Sequence, residues 1–219
     1  MFPDFAKTGL ITWDDLHKRQ PILDFSAFVD QTAPEFKPFV QGIIYHNNLD
    51  YTSHFEYKNE KPGYAYTNIT TELFELARQA LKIEDQRVRV SCHNLIEASV
   101  DYHLLKKTLG TVELIKQSSK EVNREKLTEL ISTYFKKDKE TMAKGIDEFF
   151  EFVIGYDLRS FEEWVRLFVD LNKSYLNIVV SEEDTRKLLE LSFGLTKDTW
   201  EEYLLTSISS FNNDVKDND

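Results

Sequence analysis

Apolar residues recur three and four positions apart along most of this chain, the period of a helix with one buried face. Phe36, Phe39, Val40, Ile43 and Ile44 carry that period after Pro34, whose fixed φ suits a first helical turn, and predict a helix running to about His54. Thr70 or Thr71 can cap a helix through Leu73, Leu76, Ala77, Ala80 and Leu81. A longer helix is predicted from about Asp85 to Lys107, with Gly110 ending the segment. Amphipathic stretches follow at 111–121, 123–136, 138–172 with Gly155 as a candidate break, 181–192 and 196–211. Ser181-Glu182-Glu183-Asp184 puts a cap and acids at one helix start, where the helix dipole favours them. Residues 1–33 read as irregular around a helical turn at Trp13–Arg19, and 55–68 as a tyrosine-rich loop holding Lys61-Pro62-Gly63. Residues 174–180 suit a short strand, but one strand has nothing to pair with, so the expected fold is all-α. The polar stretch Asn212–Asp219 is expected to fray.

Composition supports long helices. Only 7 Gly and 5 Pro are spread over 219 residues, which leaves few tight turns. Hydrophobic residues at 41% and charged residues at 30% fit a folded globular chain. No apolar run approaches the ~18 residues of a membrane span, and no basic stretch followed by an apolar one marks a secretory signal, so a cytoplasmic location is expected. With 27 basic against 38 acidic residues the net charge is −11, a field that disfavours nucleic acid as a partner unless a bound cation reverses it locally. A single cysteine, Cys92, rules out an intramolecular disulfide, thiolate-rich zinc fingers and iron–sulfur clusters. Any metal must therefore be held by imidazole and carboxylate.

Five histidines are present, and three of them recur with carboxylates at helical spacing. His46, Asp50 and His54 fall at i, i+4 and i+8, a stripe about 80° wide beside the apolar face of Phe39, Ile43 and Ile44. His93 and Glu97 share the i, i+4 relation in the helix at 85–107, and Asp101 continues their row. Imidazole and carboxylate so placed can both reach one cation with bonds of about 2.0–2.2 Å, and two such helices face to face make a bundle metal site. A lone helical histidine, or one such pair, is more often a solvated contact. The combination on two helices points to metal. The predicted organisation is a metal-binding helical core over 1–110 with additional helices over 111–211 packed on it as one domain.

The segment Val40-Gln41-Gly42-Ile43-Ile44-Tyr45-His46-Asn47-Asn48-Leu49-Asp50 through His54, followed by His93-Asn94-Leu95-Ile96-Glu97 through Asp101, resembles the ordered motifs of the zinc-dependent phospholipase C and single-strand nuclease superfamily. Phe2-Pro3-Asp4 resembles its early Pro-Asp element, and His17 the histidine that follows. The resemblance covers about residues 1–107, is nearest to the uncharacterised bacterial branch, and implies a phospholipase C-like helical bundle with the metal site between two core helices. It also implies one cation on Asp4, His17, His46 and Asp50 and another on His54, His93 and Glu97. A third cation would need a histidine upstream of Asp4, so a two-cation centre is expected, and the spacing from His54 to His93 is longer than in secreted members. Zinc suits these ligands first, with Fe, Mn, Co or Ni also compatible. Paired cations about 3.5–4 Å apart activate a water and clamp a phosphate oxygen. The implied activity is hydrolysis of a small-molecule phosphoester, with Asp50 as bridging carboxylate and Asp101 as a candidate to orient water or to support His93 from behind.

Other features are read more plainly. Cys92 neighbours His93, but adjacent helical positions diverge by about 100°, so a small buried thiol is expected rather than a nucleophilic dyad. His103 lies off the ligand row and reads as a surface residue. Tyr57, Tyr64 and Tyr66 either rim a substrate pocket or pack under the loop that carries them. Phe149, Phe150, Phe152, Trp164, Phe168 and Trp200 read as core, and Lys116–Lys139, with its interleaved acids, as a solvated face. There is no glycine-rich phosphate loop and no G-x-S-x-G element. Two alternatives to hydrolysis remain. A di-iron or di-manganese oxidative bundle would need matched E-x-x-H pairs, which are missing, and a helical interaction module would hold its metal for structure alone.

Overall fold

The computed structural model describes residues 8–216, with side chains for all of these except 153, 175 and 209–216. Asp4 therefore lies outside the described residues, as does the end of the 212–219 tail. Among the described residues there is no strand beyond one bridge, Tyr57 to Glu60, and the all-α expectation holds. None of the helices among the described residues is long and apolar enough to cross a membrane.

Among the described residues twelve α-helices follow one another: α1 Trp13–His17, α2 Arg19–Thr32, α3 Lys37–His54, α4 Tyr64–Thr67, α5 Thr71–Leu81 and α6 Asp85–Lys107, then α7 Thr111–Glu121, α8 Arg124–Phe135, α9 Lys139–Ile154, α10 Phe161–Tyr175, α11 Glu182–Thr196 and α12 Trp200–Lys216. Caps explain many of the starts. The hydroxyls of Thr12, Thr70 and Ser181 and the side-chain oxygens of Asn123 and Asp138 each accept a first-turn backbone N–H, satisfying donors that a helix end leaves orphaned. Lys82 and Lys136, with φ of 54°, turn the chain out of α5 and α8 in the left-handed conformation that usually falls to glycine.

Two expectations need correction. Residues 19–32, read as irregular, form the fourteen-residue helix α2: Pro21 sits in its first turn, where a missing N–H costs nothing, and Ile22, Phe25 and Val29 supply the buried face. Residues 174–180 form no strand. Ile178 and Val180 are buried there, and the Ile178 N–H donates to the Asn172 carbonyl across the end of α10. The expected break near Gly155 is real and spans 155–160.

The chain divides into two compact units, each drawn from two stretches: Met1–Asn48 with Glu113–Gly155, and Leu49–Val112 with Tyr156–Asp219. In the first, Leu16, Phe25, Ile43, Leu127, Ile131 and Ile146 belong to a core shared by α1, α2, the first part of α3, α8 and α9. In the second, α6 is the centre and packs against α11, α5, α4 and α12. Buried residues extend around much of α6, among them Val88, Ser91, Cys92, His93, Ile96 and Ala98, while Val90 and Asp101 are exposed. So wide a buried arc marks a helix flanked by several others rather than one lying on a surface. Small side chains let α11 come close, and Thr196 Oγ1 bonds Ser99 Oγ at 2.8 Å with both residues fully buried.

Candidate metal centre

The second unit brings together His54, at the last turn of α3, and His93 and Glu97, one turn apart on α6. One ligand atom from each lies within 4.8 Å of the other two. His54 Nε2 is 3.1 Å from Glu97 Oε1, His93 Nε2 is 3.3 Å from Glu97 Oε2, and the two imidazole centroids are 4.5 Å apart at 82°. Donors on bonds of about 2.1 Å in a tetrahedral set stand about 3.4 Å apart, so this spacing suits a single transition-metal ion with little rearrangement.

Backbone contacts aim these groups. His93 Nδ1 is 2.7 Å from the Val90 carbonyl, an acceptor only, so Nδ1 carries a proton and Nε2 is the nitrogen that faces the centre. The group behind His93 is thus a backbone carbonyl. At α3, the chain returns after the 55–62 loop and the Gly63 N–H donates to the His54 carbonyl at 3.2 Å. A Cβ at Gly63 would stand 2.5 Å from the Ser53 carbonyl oxygen, so only glycine permits this approach. The return leads into α4, where Tyr66 stacks on His93 (centroids 5.1 Å apart, 13° between planes) and meets His54 edge-on at 6.1 Å.

Electrostatics at the centre are those of a carboxylate between two imidazoles. Burial works against ionisation of Glu97, but hydrogen bonds and charge from His54 and His93 outweigh it and hold the carboxyl well below its usual range. Burial likewise opposes protonation of His54, and the bond and charge of Glu97 with the charge of Asp50 overcome it, leaving the pKa raised. Burial and the Glu97 charge push the Tyr66 phenol upward. Asp50 stands beside the triad, its Oδ1 3.5 Å from His54 Nε2, as a second acid one turn earlier on α3. About a third of the Glu97 side chain, 35%, stays accessible, so solvent reaches the centre.

The other expected residues fall as follows. In the first unit the His17 and His46 rings lie 5.9 Å apart, with His17 stacked on Trp13 and its Nδ1 3.0 Å from the Trp13 carbonyl. Asp101 is exposed on α6. Tyr66 joins the centre, whereas Tyr64 is buried, stacks on Tyr203 at 4.1 Å and bonds Thr199, with Tyr57 packed edge-on against both tyrosines. Tyr57 and Tyr64 also line a shallow cavity of about 160 Å³ with Lys58, Thr67, Asn68, Thr199 and Glu202. His103, expected at the surface, is half-buried; its Nε2 donates to the Phe193 carbonyl at 2.9 Å and its ring stacks on Trp200. Cys92 is the buried thiol expected, its pKa pushed up to about 12 by burial. Ser53, which no motif singles out, donates to Glu97 Oε1 at 2.6 Å. Models of protein families, curated proteins and solved structures offer no match to this chain.

Proposed function

We propose that the protein is a divalent-metal-dependent hydrolase whose centre is His54, His93 and Glu97, acting on a phosphoester. The observation that carries the proposal is the convergence of these three donors, from two helices, on one solvent-reached point. Two imidazoles and one carboxylate match the open three-ligand sets of hydrolytic zinc sites, which leave a position for water. Zinc fits this donor set, and Fe, Mn, Co or Ni would also bind it. A cation held there supplies Lewis acidity to a substrate oxygen and lowers the pKa of a water. The chain's own groups do the rest. His93 is held by Val90, Glu97 stays ionised, and Asp50, beside His54, is the carboxylate to take a proton from the attacking water. Tyr66 walls the centre with an aromatic face and a hydroxyl. The phosphoester class rests on the resemblance of the His46–His54 and His93–Glu97 segments to zinc-dependent phospholipases C.

Elemental analysis of the purified protein, paired with a panel of phosphomonoesters and phosphodiesters, tests this. Metal at one or more equivalents and turnover abolished by Asp50→Ala are expected; full activity in that variant would refute the role of Asp50. A second reading follows from the closeness of Asp50 to His54: with Asp50 as fourth ligand the set is closed, as in structural sites. Chelation would then lower the melting temperature while no phosphoester in the panel turned over.

A further inference from the structure

We propose that Ser53 is a positioning residue that restrains Glu97 to bind its cation through one oxygen. The inference rests on the metal-centre reading above and extends it to how many coordination positions stay open.

Ser53 is 3% exposed in the last turns of α3, and its hydroxyl crosses to α6 to donate to Glu97 Oε1 at 2.6 Å. Other buried helical serines here behave differently. Ser99, Ser119, Ser192 and Ser207 all donate to a carbonyl three or four residues back in their own helices. The carbonyl four residues before Ser53 belongs to Leu49, and it already accepts from Thr52 Oγ1 at 2.9 Å and from the Tyr203 hydroxyl at 3.2 Å. With the α-helical N–H four residues on also directed at it, this carbonyl is already crowded with donors, and the Ser53 hydroxyl turns to the carboxylate.

The consequence for ligation is geometric. In the metal-free centre three donors surround Glu97: His54 and Ser53 at Oε1, and His93 at Oε2. A cation claims the Nε2 lone pairs of both histidines and removes their bonds to Glu97, so Ser53 is the contact that persists. With Oε1 held by a short hydroxyl bond, Oε2 is the oxygen left for the cation. Glu97 then occupies one position rather than two, and the position spared is open to water and substrate.

Cobalt(II) is the probe, because its visible d–d bands weaken as coordination number rises. Titration of the purified protein with cobalt should give the strong bands of a low-coordinate ion. Ser53→Ala should give weaker bands, as Oε1 joins the cation, and an affinity lower by about 10–100-fold, the usual effect of removing an outer hydrogen bond to a ligand. Ser53→Thr, which keeps the hydroxyl, should restore the wild-type spectrum. If its added methyl prevents folding, the isosteric Ser53→Cys should fall between wild type and Ser53→Ala. A Ser53→Ala spectrum and affinity equal to wild type would overturn the role of Ser53 while leaving the metal centre standing. Failure of the wild-type protein to take up cobalt would overturn both.

Discussion

Glu97 is the residue on which the centre turns, since both imidazoles face it and its charge is what they stabilise in the metal-free protein. The pKa shifts set two opposite pH limits. Glu97, held low, contributes stability that is present above its ordinary 4.5 and is lost as pH falls toward its folded value. His54, held high, contributes stability that is complete below 6.5 and disappears as pH rises through its folded value. Melting temperatures of metal-free protein should therefore peak between those limits. Metal uptake has the opposite upper slope, because the cation must displace the His54 proton: affinity should rise about tenfold per pH unit until the folded pKa is passed. Calorimetric titration with zinc across pH 5.5–8 (roughly the range over which imidazole titrates) would check the sign. Cys92, buried with its pKa near 12, should resist alkylation by iodoacetamide in the native state and react only on unfolding. Rapid native labelling would contradict that.

At the scale of elements, α6 poses the main physical problem, because a helix buried around much of its surface carries a buried histidine and a partly buried glutamate. Its apolar surroundings stabilise the unit, and the polar pair is tolerated because each member is hydrogen-bonded. Leu189→Ala, fully buried on α11 in the core of the second unit, should cost about 2–5 kcal/mol in denaturant unfolding. Gly63→Ala should cost about 1–3 kcal/mol, because the added carbon meets backbone rather than a side chain that can swing away. It should also weaken cobalt binding, since the same turn ties the end of α3 to α4 and its Tyr66. The long helices and the row His93–Glu97 were legible because a 3.6-residue period declares both the buried face and which side chains align on it. The helix α2 was obscured by Pro21, read as punctuation when it occupies a first turn. Ser53, Gly63 and Tyr66 could not be assigned from sequence. Their roles depend on a loop folding back onto α3, a long-range contact with no periodic signal, and nothing in the run Tyr57, Tyr64, Tyr66 tells which ring will face His54 and His93.

For the molecule as a whole, every donor of the triad belongs to the unit formed by Leu49–Val112 and Tyr156–Asp219, although the motif that suggested it begins with His46 in the other unit. The centre also gives the acidic chain, net −11, a place where positive charge is welcome. Metal should stabilise the folded state by mass action, about 4 kcal/mol at a thousandfold excess over Kd. The most direct test is an anomalous-scattering map from crystals grown with zinc. A single peak about 2.0–2.2 Å from His54 Nε2, His93 Nε2 and a Glu97 carboxylate oxygen is predicted. Zinc absent from that point, or bound elsewhere in the molecule instead, would contradict the account.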